Sequence, residues 1–492
     1  MDKRIVIIGA GPTGLGAAYR LSELGYKNYE VYDSSKQLGG LASSFTDSSG
    51  FTWDIGGHVM FSHYEYYDKV FDRLMGSDYQ ENRRECWIRM LDTWIPYPFQ
   101  NNIRYLPREL AYECIDGLID AQTTRDFRTA SNFQEFVDAV FGPGIAKHFM
   151  NPYNFKVWAH PLDMMNKEWI GERVAVVNIH RALRNLLLDL DDFGWGPNNT
   201  FKYPLVGGTG EFYRRFAPHL SGRVNLGTTV VEIDSDRKMV RLDDGTTAPY
   251  DILISTVPLD ILCHRMLRQV DEQIEEESGR LLHSGGFMVG IGLKKPCPAS
   301  KSWMYFPESN CPFYRVTYLS NYSPNMTPDA ESHYSLLCEI SYSDYKAVNR
   351  AAVVEDTISG LVASGLITEA DRDAIVDTWC YEAAYSYPIP SIDRDRILAH
   401  VMPYLEAKDI FSRGRFGAWK YEVSNTDHSL MQGVELVDRL LLGEKETTIG
   451  IRYASTADGR QAAHDRPKPA ALNPEKPGPL ARPNMNGHGY VK

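Results

Sequence analysis

Ile5-Val6-Ile7-Ile8-Gly9-Ala10-Gly11-Pro12-Thr13-Gly14 decides the fold. Four β-branched apolar residues in a row predict a short parallel strand buried on both faces. The glycines Gly9, Gly11 and Gly14 follow at once in the G-x-G-x-x-G spacing. Leu15 to Leu24 then has the composition of a helix, closed by Gly25. A second strand, Tyr29-Glu30-Val31-Tyr32, ends in Asp33, 19 positions after Gly14. In this pattern the first glycine permits the tight turn, the second lets a pyrophosphate approach the backbone, and the third lets helix and strand pack closely. The pyrophosphate rests on the free N–H groups at the positive end of the helix, and the acid receives a ribose hydroxyl.

Those residues alone fit NAD or FAD. Gly39-Gly40-Leu41-Ala42-Ser43, just past the acid, adds the second glycine pair that many flavoproteins carry beside the cofactor's diphosphate. Further on, Thr229 to Asp234, Lys238 to Leu242 and Tyr250 to Thr256 read as strands, with Asp243-Asp244-Gly245 turning between the first two and the last. A meander followed by a return strand is the arrangement of FAD proteins of the amine-oxidase type, so the cofactor is expected to be FAD.

Outward from this core, Phe133 to Met150 and Trp169 to Leu190 are predicted helical, with Leu183, Leu186, Leu187 and Leu190 on one face. Phe287 to Ser343 is strand-like and aromatic, as expected of an antiparallel sheet used as a platform. Val353 to Val362 reads as a helix, and so does Leu430 to Leu442, capped by Asp427 or Ser429. Such a C-terminal helix would aim its positive end at a reduced flavin. The fold class is α/β: a Rossmann-like FAD-binding domain with an inserted helical domain and an antiparallel β-sheet domain. Its divisions are residues 1–84, 212–262 and 398–460 for the cofactor, 102–194 for the helices, and 85–101, 195–211 and 263–397 for the sheet. Residues 465–492, rich in Pro, Gly, Asn and Arg, read as a disordered tail.

At 492 residues the chain needs more than one core. Its net charge of −12 argues against nucleic acid as a partner. No apolar run approaches the roughly 18 residues of a membrane helix, and Asp2-Lys3-Arg4 lead straight into the first strand, so neither membrane nor secretory signal is expected. Seven cysteines at wide spacings, none in C-x-x-C, predict reduced thiols and a cytoplasmic location. His58 and His63 stand five apart without an acidic neighbour at metal spacing, so no metal is expected.

Several segments together resemble UDP-galactopyranose mutase, in particular its eukaryotic-type branch: Gly56-Gly57-His58-Val59-Met60-Phe61-Ser62-His63-Tyr64, Pro96-Tyr97-Pro98-Phe99-Gln100-Asn101-Asn102, Pro152-Tyr153-Asn154-Phe155-Lys156-Val157-Trp158-Ala159, Gly171-Glu172-Arg173-Val174-Ala175, Cys311-Pro312-Phe313-Tyr314-Arg315, Ser320-Asn321-Tyr322-Ser323-Pro324 and Gly414-Arg415-Phe416-Gly417. They run in order through residues 4 to 460. The resemblance implies a flavin-dependent isomerase that interconverts UDP-galactopyranose and UDP-galactofuranose. In that family N5 of the reduced flavin displaces the nucleoside diphosphate from the anomeric carbon, and the sugar recloses in the other ring size. NADPH or NADH is the expected reductant, and a homo-oligomer is compatible with the pattern.

The resemblance also implies roles. Arg173 and Arg315 clamp the diphosphate, His58 sits in the flavin-contacting loop, and Tyr305, Tyr322, Tyr387 and Tyr421 donate to the diphosphate. Tyr97, Phe99, Gln100, Phe149, Asn154 and Trp158 recognise uridine. Gly9, Gly11, Gly14, Asp33, Gly39, Gly40, Leu41, Gly56, Gly57, Val231, Arg415, Asn425 and Ser429 hold FAD, and Asn198 lines flavin or sugar. Asn151, Ser424, Thr426 and Glu211 depart from the eukaryotic pattern. They keep open the same chemistry on another nucleotide sugar, such as a GDP-hexose. An amine-oxidase-like FAD oxidoreductase is the further alternative, which leaves Arg173, Arg315 and the Tyr97–Gln100 segment without a purpose.

Overall fold

The computed structural model describes residues 3–170, 173–175, 177–193, 199–450, 452–455 and 461–464. The tail 465–492 and Asn198 lie outside the described residues. The strand Ile5–Ile8 is fully buried, as a run without polar alternation requires in a sheet covered on both faces. It is the centre of a five-stranded parallel sheet, flanked by Tyr29–Asp33 and Arg223–Leu226 on one side and by Ile252–Ser255 and Ile410–Ser412 on the other. Val230–Asp234, Met239–Leu242 and Thr247–Pro249 form the expected antiparallel meander before the return strand.

A seven-stranded sheet stands apart from the first. In spatial order it runs Ile375–Pro388, His283–Leu293, Tyr334–Tyr342, Arg315–Tyr318, Trp303–Tyr305, Cys86–Met90 and Thr93–Pro96. All its pairs are antiparallel except Trp303–Tyr305 with Cys86–Met90. The helical region packs Arg108–Thr124, Phe133–Ile145, Asn151–Trp158 and Ile179–Leu187 around one apolar core that includes Phe133, Phe136, Phe141 and Trp169.

Two helix expectations need correction. The helix read over Trp169–Leu190 spans only Ile179–Leu187. Asn178 starts it by accepting from Arg181 N–H, which places the boundary ten residues into the supposed helix. Leu187 is 75% exposed, whereas Leu183 and Leu186 of the leucine stripe pack against the core beside buried Ala182 and Asn185. The C-terminal helix begins at Thr426, not Leu430, with Asn425 at its cap position and no side-chain cap. Asp427 lies within the first turn and is committed to His63, so it does not cap.

Candidate active site

One cavity of about 640 Å³ collects the groups that the sequence singles out. That is within the roughly 300–1,000 Å³ of small-molecule and cofactor clefts. Its wall is built from Gly9, Gly11, Asp33, Gly40 and Leu41 at the N-terminal βαβ unit, from Gly56, Gly57 and His58, and from Arg415, Asn425 and Ser429 at the C-terminal helix. Tyr97, Arg173, Tyr305, Arg315, Tyr387 and Tyr421 complete it. Two helices, Pro12–Glu23 and Thr426–Leu442, present N-termini here without a side-chain cap. Their first-turn N–H groups and dipoles favour anionic groups of a ligand.

The glycines test whether a dinucleotide fits. A Cβ on Gly14 would lie 1.9 Å from the Gly9 carbonyl oxygen, so the protein's own packing requires that glycine. A Cβ on Gly11 would meet no protein atom closer than Gly40 Cα at 3.8 Å. Among the described residues nothing demands glycine at 11, and the space it keeps open belongs to the cavity. Asp33 accepts from Ala10 N–H at 2.6 Å and from Ser35 N–H at 2.7 Å, which fixes its carboxylate at the cavity wall. The donor set and the open glycine edge fit FAD. Gly39 turns in the left-handed region behind Gly40. Val231 is off the cavity wall, at a bulge between Val230 and Glu232 that removes it from the strand ladder.

Four arginines, Arg84, Arg173, Arg315 and Arg415, line the wall. Arg173 donates to Asn425 Oδ1 at 2.5 Å and to the carbonyls of Glu422 and Tyr421 at 3.0 and 3.3 Å. Arg415 donates to Ser386 O at 2.8 Å and to Ser424 Oγ at 2.9 Å. Among the described residues neither has a carboxylate partner, and their guanidinium carbons lie 5.0 Å from the ring centroids of Tyr421 and Tyr387, respectively. Burial, with Arg173 nearby, pulls the Arg415 pKa below the ordinary guanidinium value. Arg315 is different. Its Nε and Nη2 fork onto Glu339 Oε1 and Oε2 at 2.6 and 2.8 Å. Burial raises the phenol pKa values of Tyr97, Tyr305 and Tyr387, so each remains an O–H donor.

The loop bearing His58 is anchored from below. Buried Asp54 accepts from Ser44 Oγ, Tyr203 Oη and Thr209 Oγ1 at 2.5, 2.6 and 2.9 Å. Burial, with Arg415 and Arg315 nearby, lowers the His58 pKa to about 4, so the ring is neutral. His63, taken as lacking an acid, has one after all: Asp427 Oδ2 accepts from its backbone N–H at 3.1 Å and pairs with Nδ1 at 2.7 Å. His63, Asp427 and His428 bring three potential metal-ligating side chains within 4.8 Å of one another. Asp427 Oδ2 is already engaged by His63, and the cluster sits on a helix N-terminal turn whose dipole opposes a cation, so these residues read as a hydrogen-bonded brace.

Apart from Tyr97, the uridine residues are not on the cavity wall. Phe99, Gln100, Phe149, Asn154 and Trp158 are buried in the helical core. Phe99 stacks on Phe149 at 4.7 Å between centroids, and Gln100 donates to the Ala175 carbonyl. Only Tyr97 of that group reaches the cavity, while Trp158 backs Tyr421 edge-on at 4.7 Å. Tyr322 is likewise buried, between Phe201 and Tyr203. Sequence reasoning missed Glu339 and Arg84, which both line the cavity. Glu339 was visible as the one acid in the apolar run Leu336-Leu337-Cys338-Glu339-Ile340, since a charge in a buried strand needs a partner.

Comparison with known proteins agrees with this geometry. The model of the flavin-containing amine oxidoreductase family matches residues 12–441. The crystal structure of a reduced UDP-galactopyranose mutase superposes with a TM-score of 0.87 at 44% identity, covering 91% of this chain and 96% of that one. Two curated relatives match over less of their length. A zeta-carotene-forming phytoene desaturase of Myxococcus xanthus is 21% identical over 60% of this chain and 61% of its own. A hydroxysqualene dehydroxylase of Sinorhizobium fredii is 39% identical over 16% of this chain and 18% of its own. The chain therefore belongs to the flavin-containing amine oxidoreductase family and, within it, stands with UDP-galactopyranose mutase.

Proposed function

We propose that this chain isomerises a nucleotide sugar between pyranose and furanose forms with bound, reduced FAD, and that the substrate is UDP-galactopyranose. The observation that carries this reading is the set of four arginines on the wall of a dinucleotide-type cavity, of which Arg173 and Arg415 are held, among the described residues, by neutral acceptors only. An amine substrate would gain nothing from such charge, whereas a diphosphate leaving group is matched by it.

Reduced FAD, held along Gly9, Gly11, Asp33 and the Gly56–His58 loop, would supply a nucleophilic nitrogen able to take the place of the nucleoside diphosphate at the anomeric carbon. The protein's part is positioning and electrostatics. Arg173 and Arg315 hold the diphosphate, whose negative charge grows as its bond to carbon breaks, while Arg415 serves the cofactor side. Donors already aimed at that charge lower the barrier. Tyr305, Tyr387 and Tyr421 add neutral O–H donors that do not compete for the positive charge. The neutral His58 ring puts no second cation beside the cofactor. Uridine recognition is assigned to the aromatic cluster from which Tyr97 reaches the cavity.

The reading extends to the eukaryotic-type branch on the strength of Pro152–Ala159 and Cys311–Arg315, to NADPH or NADH as reductant, and to the cytoplasm, where seven free cysteines fit. No helix among the described residues is long and apolar enough to cross a membrane. The test is conversion of UDP-galactofuranose to the pyranose by dithionite-reduced protein beside an unreduced control. Stoichiometric oxidation of an amine with oxygen consumption would instead support the oxidoreductase alternative. Tighter binding of GDP than UDP would move the substrate to a GDP-hexose.

A further inference from the structure

One buried carboxylate joins the arginine that faces the diphosphate to the loop that faces the cofactor. Glu339 lies in the middle of the strand Tyr334–Tyr342 and is 2% exposed. Its Oε1 accepts from Arg315 Nε at 2.6 Å and from the Gly57 backbone N–H at 3.1 Å. Its Oε2 accepts from Arg315 Nη2 and from the Tyr314 hydroxyl, both at 2.8 Å. The Tyr314 hydroxyl in turn lies 3.1 Å from that of Tyr387. Four donors therefore converge on one side chain, from the substrate arginine, the flavin-side loop and a tyrosine that leads to the diphosphate region.

Space enforces the junction. A Cβ on Gly57 would lie 2.8 Å from Thr317 Oγ1, 3.3 Å from Glu339 Oε1 and 3.4 Å from Arg315 Nη2. The loop can approach the Arg315–Glu339 pair only as glycine, and His58 is the next residue. Burial pushes the Glu339 carboxyl up, but the Arg315 charge and the converging donors outweigh it and hold the carboxylate ionised.

We propose that Glu339 is a positioning residue that couples nucleotide binding at Arg315 to the Gly56–His58 loop at the flavin. A diphosphate drawing on Arg315 weakens that arginine's hold on Oε1, and Gly57 N–H on the same oxygen responds. Any change of the loop with flavin oxidation state travels back by the same route, because binding linkage is reciprocal. The proposal rests on the mutase reading for the identity of the diphosphate.

The experiment measures UDP affinity by anaerobic fluorescence polarisation with a fluorophore-linked UDP, on the full FAD-loaded chain in oxidised and reduced states. Wild type is expected to bind UDP about five- to tenfold differently in the two states, and Glu339→Gln to bring that ratio to about one. Glutamine keeps the volume and an acceptor but removes the charge that both partners share. Tyr314→Phe, which removes one donor and leaves the ion pair, is expected to shrink the ratio in the same direction and serves if Glu339→Gln does not hold FAD. Equal affinities in the two wild-type states, or an unchanged ratio in Glu339→Gln and Tyr314→Phe, would overturn the coupling while leaving the mutase reading intact. A wild type that fails to bind UDP in either state would overturn both.

Discussion

Arg173 and Arg315 face the same cavity in different electrostatic company, and their removal should have different consequences. Arg173→Ala orphans no carboxylate, so its stability cost stays near 1–1.5 kcal/mol, the worth of ordinary hydrogen bonds. Its turnover is expected to fall about 10²–10³-fold through loss of a preorganised donor to the leaving group. Arg315→Ala should lose turnover on the same scale and also about 3–5 kcal/mol of stability, because Glu339 is left buried and unpaired. Steady-state kinetics beside denaturant melts check both; equal stability of the two variants would contradict the assignment of Glu339. His58 carries a pH signature. Its pKa is lowered from 6.5 to about 4, so across that interval the unfolded chain takes up a proton that the folded chain refuses. The fold therefore loses stability through this residue as pH falls from 6.5 towards 4. In His58→Asn the melting temperature should drop less over that interval than in wild type, and parallel curves would refute a buried neutral ring. The sequence made Arg173 and Arg315 legible through the segments around them. The His63–Asp427 brace was not legible, because 364 positions separate the partners and only tertiary packing brings them together.

At the scale of elements, the N-terminal unit was readable because local chemistry and global packing demand the same residues. The strand is apolar on both faces, the turn needs glycine, and the helix end needs open N–H groups. Gly11 and Gly14 separate these demands. Gly14→Ala should lower the stability of the protein even without FAD by about 1–3 kcal/mol, as overpacking does, because the new methyl meets the Gly9 carbonyl. Gly11→Ala should leave apo stability nearly unchanged and weaken FAD binding. Calorimetry of apo and FAD-loaded forms distinguishes them, and a large apo effect at position 11 would mean that the protein itself, not the cofactor, fills that edge. The helix around Ile179–Leu187 was overextended because leucine spacing was read without the Asn178 start signal, and of the expected stripe Leu183 and Leu186 meet the core while Leu187 points outward. The uridine cluster was hard to read for a different reason. Aromatic residues in a helical region satisfy packing and recognition equally well on paper, and Phe99, Phe149 and Trp158 lie in the core.

At the scale of the molecule, a parallel sheet supplies glycine edges and helix N-termini, while a separate seven-stranded sheet supplies Arg315, Tyr305 and Glu339. The helical region contributes Tyr97 and Arg173 through its margins. The cavity exists only where these three meet, so an account of the reaction must involve groups from all of them at once. The most direct test incubates purified protein with UDP-galactofuranose, with and without dithionite, and follows the sugar nucleotide by HPLC. The account predicts conversion to UDP-galactopyranose in the reduced sample alone. No conversion with FAD bound and reduced, or equal conversion without reduction, would contradict it.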